Sequence, residues 1–314
     1  MVELHLHLTG AMAPRTCYEL YLEQGIPLPK GVHSVKTMAK FLRVDPHAKD
    51  LGEVLKVFDY ICKPLQKLDA LRRVSYEVVK QLDDQHLEYA EIRFAPAKSC
   101  SNGLTQDQVM DAVIEGIEQG LKERPSIRIG VLLCLMRGMS EEQNRETLEI
   151  AKRRKGTIVC GLDLAGDEGK YGLKDYAHFF EEAKKEGIPF TIHAGEVDRP
   201  ENLKLAMELG AKRLGHATYM VHYPELMAEA KKRKVMIECC LTSNFGTKGI
   251  PALNQHPIRK FLEAGIPVCL NTDDPTLFGT SIKREKDLAK GIYHFTEQEL
   301  ALMGHMAYEY RFLK

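Results

Sequence analysis

Charge of neither sign is in excess in this 314-residue chain: 44 lysines and arginines oppose 44 aspartates and glutamates, for a formal net charge of zero. Without a basic surplus there is no ready stripe to neutralise phosphates, which argues against nucleic acid as a partner. No apolar run reaches the roughly 18 residues of a membrane-spanning helix. The first residues, Met1-Val2-Glu3-Leu4-His5-Leu6-His7, lack the basic stretch, apolar run and cleavage site of a signal peptide. Neither a membrane partner nor secretion is therefore expected. The eight cysteines form no Cys-x-x-Cys pair. Scattered at 17, 62, 100, 134, 160, 239, 240 and 269, mostly inside apolar runs, they read as reduced, buried thiols of a cytoplasmic protein. Linkers rich in Gly, Ser or Pro, internal repeats and low-complexity tracts are also missing. With 44% hydrophobic residues the chain has ample material for a core, and residues 1–314 read as one domain.

What is present is an alternation. Eight β-rich runs occur at 2–8, 87–94, 127–135, 159–165, 190–194, 213–217, 235–241 and 268–272. Between most of them lie amphipathic stretches with apolar residues at helical spacing, such as Val109, Val113, Ile117 and Leu121. Strand then helix, repeated eight times, predicts an α/β protein with parallel strands, and the count favours a closed (β/α)8 TIM barrel. No Gly-rich turn follows an early strand, so a dinucleotide-binding open sheet is disfavoured. About 80 residues separate the first two strands. They carry helical patterns at 14–23, 35–41 and 51–82, and predict a helical insertion over about 10–86 lying across the barrel mouth as a lid. The basic run 230–234 reads as a solvated helix end.

The chemistry-bearing residues fall at predicted strand ends. His5 and His7 are two apart in a strand, so both imidazoles point to one side, as metal ligands or as a hydrogen-bonded core pair. His193 ends the fifth strand, His216 the sixth, and Asp273 and Asp274 the eighth, all at the face where barrel enzymes build their sites. His5, His7, His193 and Asp273 offer a donor set that suits zinc or another divalent ion, with four or five positions filled once water is included. Glu196 and His216 remain as titratable neighbours for proton transfer, which points to metal-assisted hydrolysis.

These motifs, taken together, resemble the adenosine deaminase family of the metal-dependent amidohydrolases. The resemblance rests on Glu3-Leu4-His5-Leu6-His7-Leu8, residues 161–168, His193-Ala194-Gly195-Glu196, Gly215-His216, Thr242-Ser243-Asn244 and Thr272-Asp273-Asp274-Pro275, in that order. It implies one Zn2+ per chain on His5, His7, His193 and Asp273, and a purine nucleoside as the small-molecule substrate. His216 and Asp273 would orient and deprotonate the attacking water, and Glu196 would protonate N1. Asp274 would contact N7 and the Gly166 amide N3, with His7 and position 9 toward the sugar. The products would be inosine, or 2′-deoxyinosine from 2′-deoxyadenosine, and ammonia. Arg93 and Arg137 match family arginines and read as scaffold. Phe41, Leu42, Phe58, Tyr60 and Ile61 fall where the family has an apolar gate, and a packing stripe accounts for them equally. Asp274 has a second reading as a helix cap, Gly166 as a turn residue. The remaining histidines (33, 47, 86, 178, 222, 256, 294, 305) read as structural or solvent-exposed.

The chain departs from the pattern at Thr9, where members acting on adenosine commonly have Asp. A hydroxyl lacks the charge-assisted bond to a ribose 5′-hydroxyl, which keeps adenine, a 5′-modified adenosine such as methylthioadenosine, or an N6-methylated nucleotide as alternative substrates. For a phosphate, Lys30, Lys36, Lys40 and Arg43 form a candidate basic group or a solvated helix face. A non-catalytic nucleoside-binding barrel is the reading of another class. A monomer is expected. The chain stops at Arg311-Phe312-Leu313-Lys314, within what the resemblance implies is a terminal helix, so part of the outer ring is expected to lie uncovered.

Overall fold

In the computed structural model, which describes residues 1–46 and 48–314, all eight anticipated strands form. They are β1 (Val2–His7), β2 (Tyr89–Phe94), β3 (Arg128–Met136), β4 (Val159–Ala165), β5 (Thr191–Ala194), β6 (Arg213–His216), β7 (Met236–Cys239) and β8 (Val268–Leu270). Each pairs in parallel with its neighbour in chain order, giving two four-stranded sheets, β1-β2-β3-β4 and β5-β6-β7-β8. Backbone bonds also run between the sheets. Leu162 N–H donates to the Pro189 carbonyl at 3.0 Å; on the other side Asp273 N–H donates to His5 O, and His7 N–H to Asp273 O, both at 2.9 Å. The strands are largely buried on both faces, β2 along its whole length, so the polar residues they carry, such as Glu91 and Arg93, lie inside with charged partners.

Four strands, β1, β6, β7 and β8, stop short of their apolar patterns, and at β6 the backbone gives the reason. His216 and Ala217 have φ of 69° and 51°, left-handed values that end a strand, and Asp273, beyond the end of β8, turns the chain with φ of 62°. Helices start where the sequence supplies caps. The Thr105 hydroxyl accepts the Gln108 amide while the Gln108 side chain accepts the Thr105 amide, opening the helix Gln106–Glu123. Ser140 with Gln143 opens Glu141–Arg153 and Thr296 with Glu299 opens Glu297–Tyr310 in the same way. Lys231, Lys232 and Arg233 form the exposed last turn of Pro224–Arg233, where positive charge meets the negative helix end.

The expected continuous helical stretch at 51–82 is broken. It forms as Leu51–Leu55, Phe58–Ile61, a 3-10 turn Lys63–Leu65 and a long helix Leu68–Asp84. Pro64 lacks an amide hydrogen and disfavours helical geometry at the residue before it, so the helix cannot run through. Leu68–Asp84 packs against Gln106–Glu123, tied by the Arg72–Glu115 ion pair and by Tyr76 Oη donating to Glu123 at 2.6 Å. His47, read as structural or solvent-exposed, lies outside the described residues.

The carboxyl-terminal residues also differ from expectation. After Glu297–Tyr310 the chain turns under the strands. Arg213 Nη1 donates to the Tyr310 carbonyl at 3.0 Å, its guanidinium stacks 3.7 Å from the Phe312 ring centre, and the Phe312 amide donates to Glu91 at 2.5 Å. The Leu313 amide donates to Tyr89 Oη at 3.1 Å. Residues 312 and 313 thus cover the amino-terminal ends of β2 and β4. Phe312→Ala is expected to lower the unfolding free energy by about 2 kcal/mol, through lost stacking and apolar burial. Denaturant unfolding measures it, and a change within 0.5 kcal/mol, roughly the spread of neutral surface substitutions, would refute the role.

Candidate active site

At the carboxyl ends of the strands lies a cavity of about 760 Å3 whose wall includes His7, Gly166, His193, Glu196, His216, Asp273 and Asp274. His5 sits behind it, fully buried.

Each inner histidine is held through its Nδ1. His5 Nδ1 lies 2.8 Å from Glu238, and His193 Nδ1 3.0 Å from Asp163. The carboxylates are in turn bridged by one side chain: Arg93 donates to Asp163 at 3.1 Å and to Glu238 at 2.8 Å. Arg213 adds bonds to Glu238 at 2.6 Å and to Glu91 at 2.5 Å. Burial opposes their ionisation, but His193 and Arg93 hold Asp163 well below the usual carboxylate range, and Arg93 and Arg213 do the same for Glu238. With Nδ1 occupied, both rings turn Nε2 inward, and His5 Nε2 is buried with no hydrogen-bond partner.

Those inward atoms converge. His5 Nε2 and His7 Nε2 each lie 3.3 Å from Asp273 Oδ1, and His7 Nε2 lies 3.3 Å from His193 Nε2. Ligand atoms around a tetrahedral ion with bonds of about 2.0–2.1 Å stand about 3.3 Å apart. The carboxylate–histidine arrangement is also the usual support of a metal-binding imidazole. The donors fall into two groups of mutually close atoms, His5, His193, His216 and Asp273, and His7, Asp273 and Asp274, which share Asp273. Chemistry separates members from neighbours. The Ile258 amide donates to His256 Nδ1 at 3.1 Å, His256 Nε2 meets Asn244 Oδ1 at 3.0 Å, and Asn244 Nδ2 meets His216 Nδ1 at 2.9 Å. That sequence of donors leaves the His216 proton on Nε2, where it blocks metal ligation. Burial keeps His216, like His7 and His193, below the ordinary histidine pKa.

The carboxyl groups divide by charge. Although burial works against it, His5 holds Asp273 ionised, with its pKa well below the usual range, and Ser243 Oγ donates to its second oxygen at 2.5 Å. Asp274 is pushed well above by burial and by adjacent Asp273. Its Oδ1 has no partner, and its side chain does not cap the helix Pro275–Phe278, so the capping role fails. Gly10 lies directly against this carboxyl, in space where any Cβ would overlap it. Glu196 is 5% exposed, not a surface group, and burial and Asp273 push its pKa up to about 8. Its Oε1 accepts from Thr247 at 2.7 Å and its Oε2 lies 3.7 Å from His216 Nε2. The turn that carries it is fixed by Glu168, which accepts the Gly195 amide at 2.9 Å and the Glu196 amide at 3.0 Å.

Every residue expected at the site from the sequence borders this cavity or, for His5, its floor; Thr9 and Gly166 lie on the wall, Gly166 with φ of 100°. Of the gate residues only Phe58 lines the cavity; Leu42 and Ile61 are buried in the core and Tyr60 is exposed. Lys30, Lys36, Lys40 and Arg43 are off the wall, where the lysines are Lys63, Lys67 and Lys98. The reading from sequence missed the roles of Asp163, Glu238, Glu168, Thr247 and His256. A single carboxylate inside an apolar strand was the available signal for Glu238, because a buried acid requires a partner.

A family description for adenosine deaminase matches residues 1–314. The chain is 35% identical over 285 residues to an adenosine deaminase of Enterococcus faecalis, covering 90% of this chain and 83% of that one. It superposes on the N6-mAMP deaminase of Arabidopsis with a TM-score of 0.87 at 28% identity, over 100% of this chain and 93% of the other. A zinc-bound amidohydrolase of Burkholderia ambifaria shares the fold, with a TM-score of 0.89 at 22% identity, over 100% and 85% of the two chains.

Two outcomes are expected. Glu238→Gln loosens His5 and weakens divalent-metal affinity by about 10- to 100-fold, read by chelator competition; unchanged affinity would sink that role. Glu196 binds its proton more tightly folded, near pH 8, than at the ordinary 4.5, so its stabilising contribution is complete below about 4.5 and lost as pH rises through about 8. In metal-free protein, Glu196→Gln therefore gains stability over the parent between pH 5 and pH 8.5, at about 1.4 kcal/mol per pKa unit. Equal differences at both pH values in thermal unfolding would contradict the assignment.

Proposed function

The chain belongs to the adenosine deaminase family, and from that membership we propose that it hydrolyses adenosine and 2′-deoxyadenosine to the inosine products and ammonia. The observation that carries this reading is one cavity bordered by a proton-bearing Glu196, an ionised Asp273 and the inward nitrogens of His5, His7 and His193. His5, His7, His193 and Asp273 hold one Zn2+, a set supported by the 3.3 Å spacings and by the partnerless His5 Nε2. When bound, zinc lowers the pKa of its water to about 7.

The chain's own groups account for the proton traffic. Glu196 carries a proton near neutral pH and gives it to purine N1, which makes C6 electrophilic. Asp273 is the base that takes a proton from the water adding to C6. His216, whose proton is on Nε2, holds that water's oxygen by donating to it rather than by accepting. The hydrogen-bond direction through Asn244 supports this division of two roles that the sequence left shared. Breaking the bond from C6 to the amino nitrogen then releases ammonia. Asp274, kept protonated by burial, donates to N7, an acceptor, and the Gly166 amide donates to N3; His7 and Thr9 face the sugar.

We take residues 1–314 as a single domain in which the cross-sheet backbone bonds close a (β/α)8 barrel. Within the insertion at about 10–86, residues 51–67 supply most of the cavity wall from this segment and act as the lid. All eight cysteines are free, which supports a cytoplasmic setting. The partner is a small molecule, and a monomer serves it. Thr9 supports a second reading, an N6-methylated nucleotide, the substrate that the name of the Arabidopsis relative gives.

Purified protein is expected to carry one zinc per chain and to convert adenosine to inosine, followed by the loss of absorbance near the adenosine band. Glu196→Gln is expected to lower kcat at least about 100-fold while metal content stays at one. Metal-loaded protein that turns over no purine, or a Glu196→Gln variant of parental activity, would overturn the reading.

A further inference from the structure

A carboxyl group that gives up a proton does so from one of its two oxygens, and the two oxygens of Glu196 have different neighbours. Oε1 accepts from the Thr247 hydroxyl at 2.7 Å, while Oε2 stands 3.7 Å from His216 Nε2, beyond hydrogen-bond reach. Thr247 and Glu196 are each 5% exposed, and both border the cavity. Thr247 directly follows the helix Leu241–Gly246, its amide donating to the Ser243 carbonyl at 2.8 Å. Ser243 and Asn244 stand four and three residues before it, so the three side chains leave from adjoining rows of one helix face. Ser243 bonds Asp273, Asn244 bonds His216, and Thr247 bonds Glu196. One short element therefore meets all three groups assigned to the proton traffic. It is anchored in turn by buried Glu285 of the helix Ile282–Tyr293, which accepts the Thr242 amide at 3.3 Å and the Thr242 hydroxyl at 2.5 Å.

Counting hydrogens gives the direction of the Thr247–Glu196 bond. The bond holds one hydrogen, whereas a threonine hydroxyl and a neutral carboxyl bring one each. Among the described residues the Thr247 hydroxyl has no other hydrogen-bond partner. With the carboxyl hydrogen on Oε1, that hydrogen would fill the bond, the threonine hydrogen would have no acceptor in the protein, and Oε2 would have nothing to give. With Thr247 donating, both hydrogens are used. Oε1 then acts as the carbonyl oxygen, and the acidic hydrogen belongs to Oε2, the oxygen nearer His216. That neighbour fits the chemistry, because N1 and C6 are bonded atoms of one ring: the oxygen that serves N1 has to stand beside the histidine that holds the water adding to C6. The Glu196 amide is already fixed by Glu168, and a β-branched threonine is stiff at χ1, so this one bond sets the plane of the carboxyl group.

We propose that Thr247 is a positioning residue for the deamination: by donating to Glu196 Oε1 it reserves Oε2 for the acidic hydrogen and aims that hydrogen at purine N1. The inference rests on the proposed deaminase reading and adds to it the residue that orients its proton donor. The hydrogen from Oε2 remains on N1 of the inosine product. Asp273 passes the first hydrogen of the water to the departing amino group, and the second, lost from oxygen as the C6 carbonyl forms, restores Glu196. The Thr247 bond to Oε1 persists throughout.

The test uses zinc-loaded protein with Thr247→Val, which keeps the shape of the side chain without its hydroxyl, and Thr247→Ser, which keeps the hydroxyl. The ligands are adenosine and 1-deazaadenosine, in which a C–H replaces N1. Thr247→Val is expected to lower kcat for adenosine at least about tenfold, part of what a general acid supplies. KM is expected to stay within about threefold, the pattern of a contact that counts in the transition state. The inhibition constant of 1-deazaadenosine is expected to be unchanged, since that ligand offers no atom to the Oε2 hydrogen, and Thr247→Ser is expected to restore most of the lost kcat. Parental kcat in Thr247→Val, a loss that serine does not restore, or equal weakening of both ligands overturns the assignment, the last by showing general damage to the pocket. If the parent deaminates no adenosine, the deaminase reading fails and calorimetry decides the place of the hydrogen. Adenosine bound more tightly than 1-deazaadenosine, with the preference lost in Thr247→Val and kept in Thr247→Ser, upholds the Oε2 assignment; no preference in the parent, or one that survives Thr247→Val, discards it.

Discussion

The guanidinium of Arg93 is the constraint on which the rest depends. It is fully buried and, besides the Leu4 carbonyl, bonds Asp163 and Glu238, the two carboxylates that hold His193 and His5. Two arginines, Arg93 and Arg213, stand among three buried acids, Asp163, Glu238 and Glu91. Such an assembly is poor stabilisation in itself, since desolvating each ion costs several kcal/mol and a well-packed apolar core would serve as well or better. Its value is directional. Ion pairs have fixed geometry, so a ring bonded at Nδ1 to a braced carboxylate cannot rotate its Nε2 away from the common point. The same arginine sets both rings, and their relative position follows from one side chain rather than from two independent packings.

Above that base, backbone strain does what side-chain packing cannot. His216, Ala217 and Asp273 adopt left-handed φ values that cost non-glycine residues on the order of 1–3 kcal/mol each. A strand continued in the ordinary way would carry Asp273 past the histidines. Turning the chain at that residue lets its amide bond His5 O and its carbonyl accept from His7, so the acid is clamped from both sides while its carboxylate faces inward. Strain, backbone pairing and charge act on the same few residues, and the protonation states of Glu196 and Asp274 follow from the burial that results.

The sequence made some of this legible because the signals were periodic or local. The two-residue spacing of His5 and His7, the positions of His193, His216 and Asp273 at strand ends, and the cap residues Thr105, Ser140 and Thr296 depend on near neighbours. Glu238 and Asp163 were opaque for the opposite reason: their meaning lies in partners on other strands, Arg93 and His5 or His193, far along the chain. The break at Pro64 was readable in principle but masked by apolar residues on both sides at helical spacing. Charge patterning left Lys30, Lys36, Lys40 and Arg43 open between a basic group at the mouth and a solvated face, because it cannot say which helix face borders a cavity; all four are exposed and off the wall. The tail 311–314 looked like a helix cut short, yet its Phe312 meets Arg213, a contact no local pattern announces.

The pairing of Asp273 with His5 and His7 has a consequence for biosynthesis. A ribosome delivers His5 and His7 long before Asp273, so a nascent chain holds two imidazoles with no carboxylate to complete their set. Arg93, Asp163, His193 and Glu238 arrive one after another in between, each waiting for a partner still unmade. The inner ring of donors is therefore assembled last, in a fold dominated by contacts remote in sequence and correspondingly slow to form. A product truncated before Asp273 would leave His5, His7 and His193 without their shared acid, however much of the parallel sheet it had built.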